Sequence, residues 1–273
     1  MVLILPQWQG AGEEQSIRAS VAHIRKAFFK DYEDKLKLDL EPSGAKAGIR
    51  HYDAILENAR AVKRYLIEKD PRTIFLIGGE CSTELMPISF LRLKYKEDLA
   101  VLWFDAHADL NESHESPSGN FHGMPLRLLL GEGEEGLLSE LPAVLSPDQV
   151  TLAGVRELDH AEEEYIASRA MRCLLVDDLV VNRNGIKRGL ARKKLYIHVD
   201  LDVLDPRFFP YSVCPAGNGI SMEALLGCLR DLASFCSVVG MGIVEYKDKE
   251  GLGVGRLGDL IDFARETVED GEE

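Results

Sequence analysis

At 273 residues, with 45% apolar and 29% charged side chains, the chain can bury a sizeable core and has an ordinary globular composition. Its 32 basic and 46 acidic residues give a net charge of −14, which argues against nucleic acid or an anionic membrane as partner and suits a small cationic ligand. No apolar run nears the roughly 18 residues of a membrane span, and Met1-Val-Leu-Ile-Leu-Pro6 is too short and lacks the basic flank of a signal peptide. The odd, scattered cysteines (Cys81, Cys173, Cys214, Cys228 and Cys236) contain no CxxC pair, so a reducing, cytoplasmic location is expected.

Apolar or β-branched runs predict strands at residues 2–5, 73–77, 99–104, 150–155, 172–176, 195–201 and 238–244, and Leu36, Leu38 and Leu40 predict a half-buried eighth. Helical periodicities lie between them, at Ile17, Val21, Ile24 and Phe28, then at Ile55, Ala59, Val62 and Leu66. Ser221 stands as the N-cap of a further helix. Strands alternating with helices mean a largely parallel α/β domain, expected to occupy residues 1–273 as a single unit. An open doubly wound sheet and a closed barrel fit this pattern equally.

In either fold the chemistry collects at the carboxyl ends of the strands. Gly78-Gly-Glu-Cys81 follows one strand, Asp105-Ala-His-Ala-Asp109 the next, and Gly154-Val-Arg-Glu-Leu-Asp159 a third. Asp200-Leu-Asp202 closes a fourth and Glu245 ends the last. Asp105, His107 and Asp109 alternate after their strand, and period-2 geometry puts His198, Asp200 and Asp202 on one face. Carboxylates with imidazole in two such clusters suit divalent cations such as Mn²⁺, whereas a single aspartate at a strand end more often caps a turn. His23, His51 and His160 read as surface residues, and Glu80 as an orienter of a neighbouring loop.

Together, Gly78-Gly-Glu-Cys-Ser82, Asp105-Ala-His-Ala-Asp109, Ser118-Gly-Asn-Phe-His-Gly-Met-Pro125, Asp200-Leu-Asp-Val-Leu-Asp-Pro206 and Glu245 resemble the ureohydrolase family of arginases, agmatinases and formimidoylglutamases, and arginases most. The resemblance implies a three-layer, open, doubly wound sheet of about eight parallel strands. It also implies two Mn²⁺ ions per chain, with Asp105 and Asp200 bridging, Asp109 completing one site, and His107 with Asp202 completing the other. The implied reaction is hydrolysis of a guanidinium by a metal-bridging hydroxide, converting L-arginine to ornithine and urea. In it Asp109 relays a proton, His122 shuttles protons to the product and Glu245 holds the guanidinium. Asn111, Ser116, Ser118 and Asn120 stand where arginases hold the substrate's α-carboxylate, and Asp159 and Glu162 where they bind its α-ammonium. The family also implies a homo-oligomer, trimer or hexamer.

Two positions depart from the family pattern. Cys81 replaces a histidine ligand, and a soft thiolate favours Zn²⁺ or Fe²⁺ over Mn²⁺, so one site is expected to be weakened with the other intact. Cys214 stands where arginases carry a threonine near the guanidinium. His198 is a candidate replacement ligand, but its step of two residues from Asp200, about 6.6 Å along a strand, favours a residue that supports the ligands from behind or packs in the core. The alternatives to an arginase are an agmatinase, a formimidoylglutamase-type hydrolase, or a catalytically silent arginase-like binding protein.

Overall fold

A computed structural model describes residues 1–32, 36–181, 185–191 and 193–269. Among these residues one sheet holds seven strands: β1 (Val2–Leu5), β2 (Ile74–Gly78), β3 (Leu99–Phe104), β4 (Val150–Ala153), β5 (Arg172–Leu174), β6 (Lys194–Asp200) and β7 (Ser237–Val244). Their order is β1-β2-β7-β6-β3-β4-β5 and every pairing is parallel. The sheet is therefore open, and all its carboxyl ends lie along one edge.

Period-2 alternation sends the strand side chains to two separate cores. Ala100, Leu102 and Phe104 of β3 join Leu195, Ile197 and Val199 of β6 in one, which is closed by the helices Ser16–Phe28, Met222–Ala233 and Gly258–Glu269. Leu99, Val101 and Trp103 join Tyr196 in the other, beneath the helices Tyr52–Lys69 and Leu85–Tyr95. Burial on both faces explains why these strands read as unbroken apolar runs. Ile17, Val21 and Ile24 are buried on the first helix, as the periodicity predicts. Ser221 Oγ accepts the Ala224 N–H at 3.1 Å, so its capping role holds. No helix among the described residues is long and apolar enough to cross a membrane.

Two expectations need correction. Residues 36–40 form no strand, although their burial alternates. Side chains take the place of a neighbouring strand: Trp8 Nε1 donates to the Leu40 carbonyl, Gln9 and Asn58 donate to that of Asp39, and Asn58 Oδ1 accepts the Asp39 N–H. With the backbone satisfied in this way, leucine alternation needs no ladder. His51 is not a surface residue; it is buried, its ring edge packs against Trp8, and its Nδ1 lies 2.9 Å from the Ser43 carbonyl.

Candidate metal centre and substrate cleft

Four adjacent central strands deliver the polar residues to one place. β2 runs into Cys81, β7 into Glu245, β6 into Asp200 and Asp202, and β3 into Asp105, His107 and Asp109. β6 ends at Asp200, so Asp202 projects from the following turn Leu201–Val203 rather than from the strand itself. Asp105 Oδ1 accepts the His107 N–H and Asp200 Oδ1 accepts the Asp202 N–H, each at 2.7 Å. These are the turn-building bonds of an Asp that initiates a bend, and each uses only one oxygen. Ala106 N donates to Asp202 Oδ1 at 3.0 Å, which locks the two turns together. Arg156 reinforces this by donating to the carbonyls of Gly154, Asp202, Ala216 and Gly217.

A cleft of about 310 Å³ opens over this floor. Cys81, His107, Asp109, Asp200, Asp202 and Glu245 line its depth, with Asp105 fully buried beneath. Asn111, Ser116, Ser118, Asn120, His122, Asp159 and Glu162 line it too, as do Cys214 and Glu157. Thus the candidate catalytic, metal and substrate residues read from the sequence all line this one cleft, except Asp105, which lies beneath it. Glu157 was not singled out as a ligand contact, although it lies in the Gly154–Asp159 stretch. Cys81 and Cys214 are not joined by a disulfide. Glu80 is buried away from the cleft, where it accepts from Gln7 Nε2, Ser82 Oγ and the Ser82 N–H and ties β2 to the chain after β1.

Acidic crowding dominates the electrostatics. Burial, followed by the Asp105 charge, pushes the Asp109 carboxyl well above the usual carboxylate range. Burial and Asp202 do the same to Asp200, and burial with Asp105 takes Asp202 up to about 7. Burial opposes charge on His107, yet its bonds to Asp105 and Asp202 carry it up to about 12; its Nδ1 lies 2.9 Å from Asp202 Oδ2. Burial raises the Cys81 thiol, with the Asp109 and Asp200 charges adding to it.

Three donor sets have ligand atoms within 4.8 Å of one another: Cys81, Asp105, Asp109 and His198; Cys81, Asp200 and Glu245; and Asp105, His107 and Asp202. Asp109 Oδ2, His198 Nε2 and Glu245 Oε2 are buried without a hydrogen-bond partner among the described residues. Buried lone pairs left facing each other fit a divalent cation, which neutralises the acids and satisfies the orphaned atoms together. Asp109 and Glu245 also adopt left-handed backbone, with φ of 55° and 63°, a strained choice for a side-chain-bearing residue that is common at functional sites.

Around the cleft some residues are committed and others are available. Glu162 Oε1 accepts the Leu110 N–H and its Oε2 accepts the Asp159 N–H, so this carboxylate already caps its helix. Asp159 Oδ2 takes Asn111 Nδ2 at 2.8 Å. Ser116 Oγ accepts the Gly119 N–H and Ser118 Oγ accepts the Asn120 N–H, both at 3.1 Å. Each serine thus builds the loop with a lone pair; the two hydroxyls lie 3.5 Å apart, so one can donate to the other and at least one O–H is left to donate into the cleft.

Residues 11–249 match the family model described as the Arginase family. The arginase of Staphylococcus aureus (strain MRSA252) is 33% identical over 211 residues, covering 72% of this chain and 68% of the relative. Among solved structures, Entamoeba histolytica arginase in complex with L-ornithine has a TM-score of 0.79 at 22% identity, covering 94% of this chain and 96% of that one. Proclavaminate amidino hydrolase from Streptomyces clavuligerus has a TM-score of 0.74 at 20% identity, covering 99% and 92% respectively. With the family match running through every strand end that feeds the cleft, the chain belongs to the arginase family.

Proposed function

We infer that the chain hydrolyses the guanidinium of an α-amino acid, with L-arginine as first candidate, giving ornithine and urea. One observation carries this reading: a single cleft has a buried acidic floor at one end and hydroxyl, amide and carboxylate groups at the other. The floor suits a cation-assisted attack on a guanidinium, and the rim suits an α-carboxylate and α-ammonium. A decarboxylated substrate would leave the serine and asparagine donors without an acceptor.

Asp105, Asp109, His107, Asp200 and Asp202 would hold two divalent cations, Mn²⁺ first, which when bound acidify water in the cleft. Glu245 is fixed through Oε1, which accepts the Cys81 N–H at 3.2 Å and lies 3.1 Å from His122 Nδ1. Its second oxygen is orphaned and can accept guanidinium N–H groups in a charge-assisted bond. Asp109, with Oδ2 free, can take the proton of the attacking water and pass it to the leaving amine. His122 sits partly exposed beside Glu245, which raises its pKa against the opposing effect of burial, so it can relay protons between the departing product and solvent. At the rim, Ser116, Ser118 and Asn120 would donate to the α-carboxylate. Asp159 would bind the α-ammonium and Glu162 would position it.

The test is release of urea and ornithine by the metal-loaded protein, with L-arginine, agmatine and formimidoylglutamate as substrates and Mn²⁺, Ni²⁺, Zn²⁺ or Fe²⁺ supplied. A preference for L-arginine is expected. No product from any of the three with any of these metals would overturn the reading.

A further inference from the structure

Behind the cleft, on the Trp103 side of the sheet, lies a polar layer that the reaction as described does not use. His198 is fully buried, and its ring stacks on Trp103 with centroids 3.5 Å apart and planes 8° from parallel. Its Nδ1 is hydrogen-bonded to Glu84 Oε2, and Tyr196 OH donates to Glu84 Oε1 at 2.9 Å. Glu84 is itself fully buried, and the space it occupies exists only because position 242 is glycine: a Cβ there would lie 1.3 Å from Glu84 Oε1. The opposite edge of the ring, Nε2, faces the acids and has no hydrogen-bond partner among the described residues. Asp105 Oδ2 stands 3.7 Å from it, too far for a hydrogen bond, and accepts from Trp103 Nε1 at 3.0 Å.

Neither protonation state of His198 settles that edge without a further group. A protonated Nε2 leaves a buried N–H without an acceptor within hydrogen-bond reach. A bare Nε2 aims a lone pair at carboxylates. A cation resolves both, and the donor atoms are gathered for one: Cys81 Sγ, a ring nitrogen of His198 and oxygens of Asp105 and Asp109 lie within 4.8 Å of one another, and with Nδ1 held by Glu84 the nitrogen left to ligate is Nε2. Ligand atoms sharing an ion at about 2.0–2.3 Å each stand roughly 3–4.5 Å apart. Glu84 then has a defined role, because a ligating histidine commonly gives its other N–H to a carboxylate that fixes its tautomer and aim.

We propose that His198, oriented by Glu84 and Tyr196, is a metal ligand that supplies from β6 the imidazole missing at position 81. It makes with Cys81, Asp105 and Asp109 a sulfur–nitrogen–oxygen site distinct from the oxygen-rich site of Asp105, His107 and Asp202. This rests on the reading that the cleft binds divalent cations. Such a donor set selects a borderline metal of the Zn²⁺, Fe²⁺ or Co²⁺ class, and Cys81 loses its thiol proton to solvent as the ion binds.

The experiment is titration of the chelator-stripped full chain, purified anaerobically, with Co²⁺ as the probe. Equivalents bound and the near-ultraviolet thiolate-to-cobalt absorption are followed together. Two equivalents are expected, one of which carries the absorption. His198→Gln should weaken that equivalent by at least about 100-fold and spare the other, and Glu84→Gln should weaken it about 10–100-fold. His107→Asn should remove the other equivalent and leave the absorption. Far-ultraviolet circular dichroism checks each fold, and Glu84→Gln carries the test if His198→Gln does not fold. Two equivalents with unchanged affinity and absorption in the folded variants would overturn the His198 assignment alone. A wild-type chain that takes up no Co²⁺ would overturn the cation reading and this proposal with it.

Discussion

The two halves of the acidic floor are built from the same strand ends but differ in what stands behind them. In the Asp105–His107–Asp202 half, the histidine lies in the loop after β3, partly exposed, and its Nδ1 reaches Asp202 at 2.9 Å. In the Cys81–Asp109–His198 half, the imidazole rises from within β6, fully buried, and is backed by a second buried carboxylate on Glu84. The first half is a surface-fed site of nitrogen and oxygen donors, and the second is an internal one that includes sulfur. If His198 ligates as proposed, a ligand lost after β2 is replaced from the sheet beneath, where Gly242 clears room for Glu84, the residue that aims the ring.

The harshest test of that contrast removes a ligand from the first half. Asp202→Ala or His107→Ala should lower guanidinium hydrolysis by at least about 1,000-fold and cost one bound cation of two, as read by elemental analysis and urea release. Loss of both cations would show that the halves do not bind independently, as their shared Asp105 allows. His122→Asn should leave the cation count intact and lower kcat by about 100-fold, the range of a general acid–base group. A fall in bound metal in that variant would tie His122 to one half rather than to product release.

Much of the first half was legible because its groups are close in sequence. Asp105, His107 and Asp109 alternate after an apolar run, and Asp200 and Asp202 repeat the pattern. In the second half Cys81 and Asp109 were equally legible, but the placing of its imidazole was not, and His198 shows why. Counting backbone advance along a strand places Cα atoms but ignores where a ring edge points, and Nε2 reaches the donors of Cys81 and Asp109. Its orienting residue, Glu84, lies 114 positions away, so no spacing rule links the two. One sign was present: Gly240 and Gly242 interrupt an otherwise apolar strand, which marks a close approach. The open, parallel sheet was legible except at Leu36–Leu40, where alternation reflected packing on a helix whose Asn58 satisfies the backbone.

At the rim, Ser118→Ala should weaken arginine use about 10-fold while changing agmatine use little, since agmatine keeps arginine's amine but lacks the α-carboxylate that Ser118 would hold. Comparing kcat/KM for both substrates reads the difference directly. An equal loss on both would mean that Ser118 serves only to build the loop, through the Asn120 N–H it accepts.

The smallest effect belongs to an aspartate outside the floor. Asp205 is buried like its neighbours but fully satisfied: it accepts from Arg207 N and from both Arg207 Nε and Nη2 at 2.8–2.9 Å. The Arg207 bonds outweigh burial and hold its carboxyl down at about 2, opposite in direction to Asp109 and Asp200. A carboxylate lowered in the folded state stabilises above its ordinary pKa of about 3.8, and that contribution fades as pH falls through about 2. Asp205→Asn should therefore lower the unfolding midpoint at pH 7 by a few degrees, roughly the effect of one charge-assisted bond in a chain this size. The gap between variant and wild type should close between about pH 4 and pH 2. Cations should leave that gap unchanged, because Asp205 already has its counter-charge in Arg207, whereas Asp109 and Asp200 lie among other carboxylates with no arginine or lysine bonded to them among the described residues.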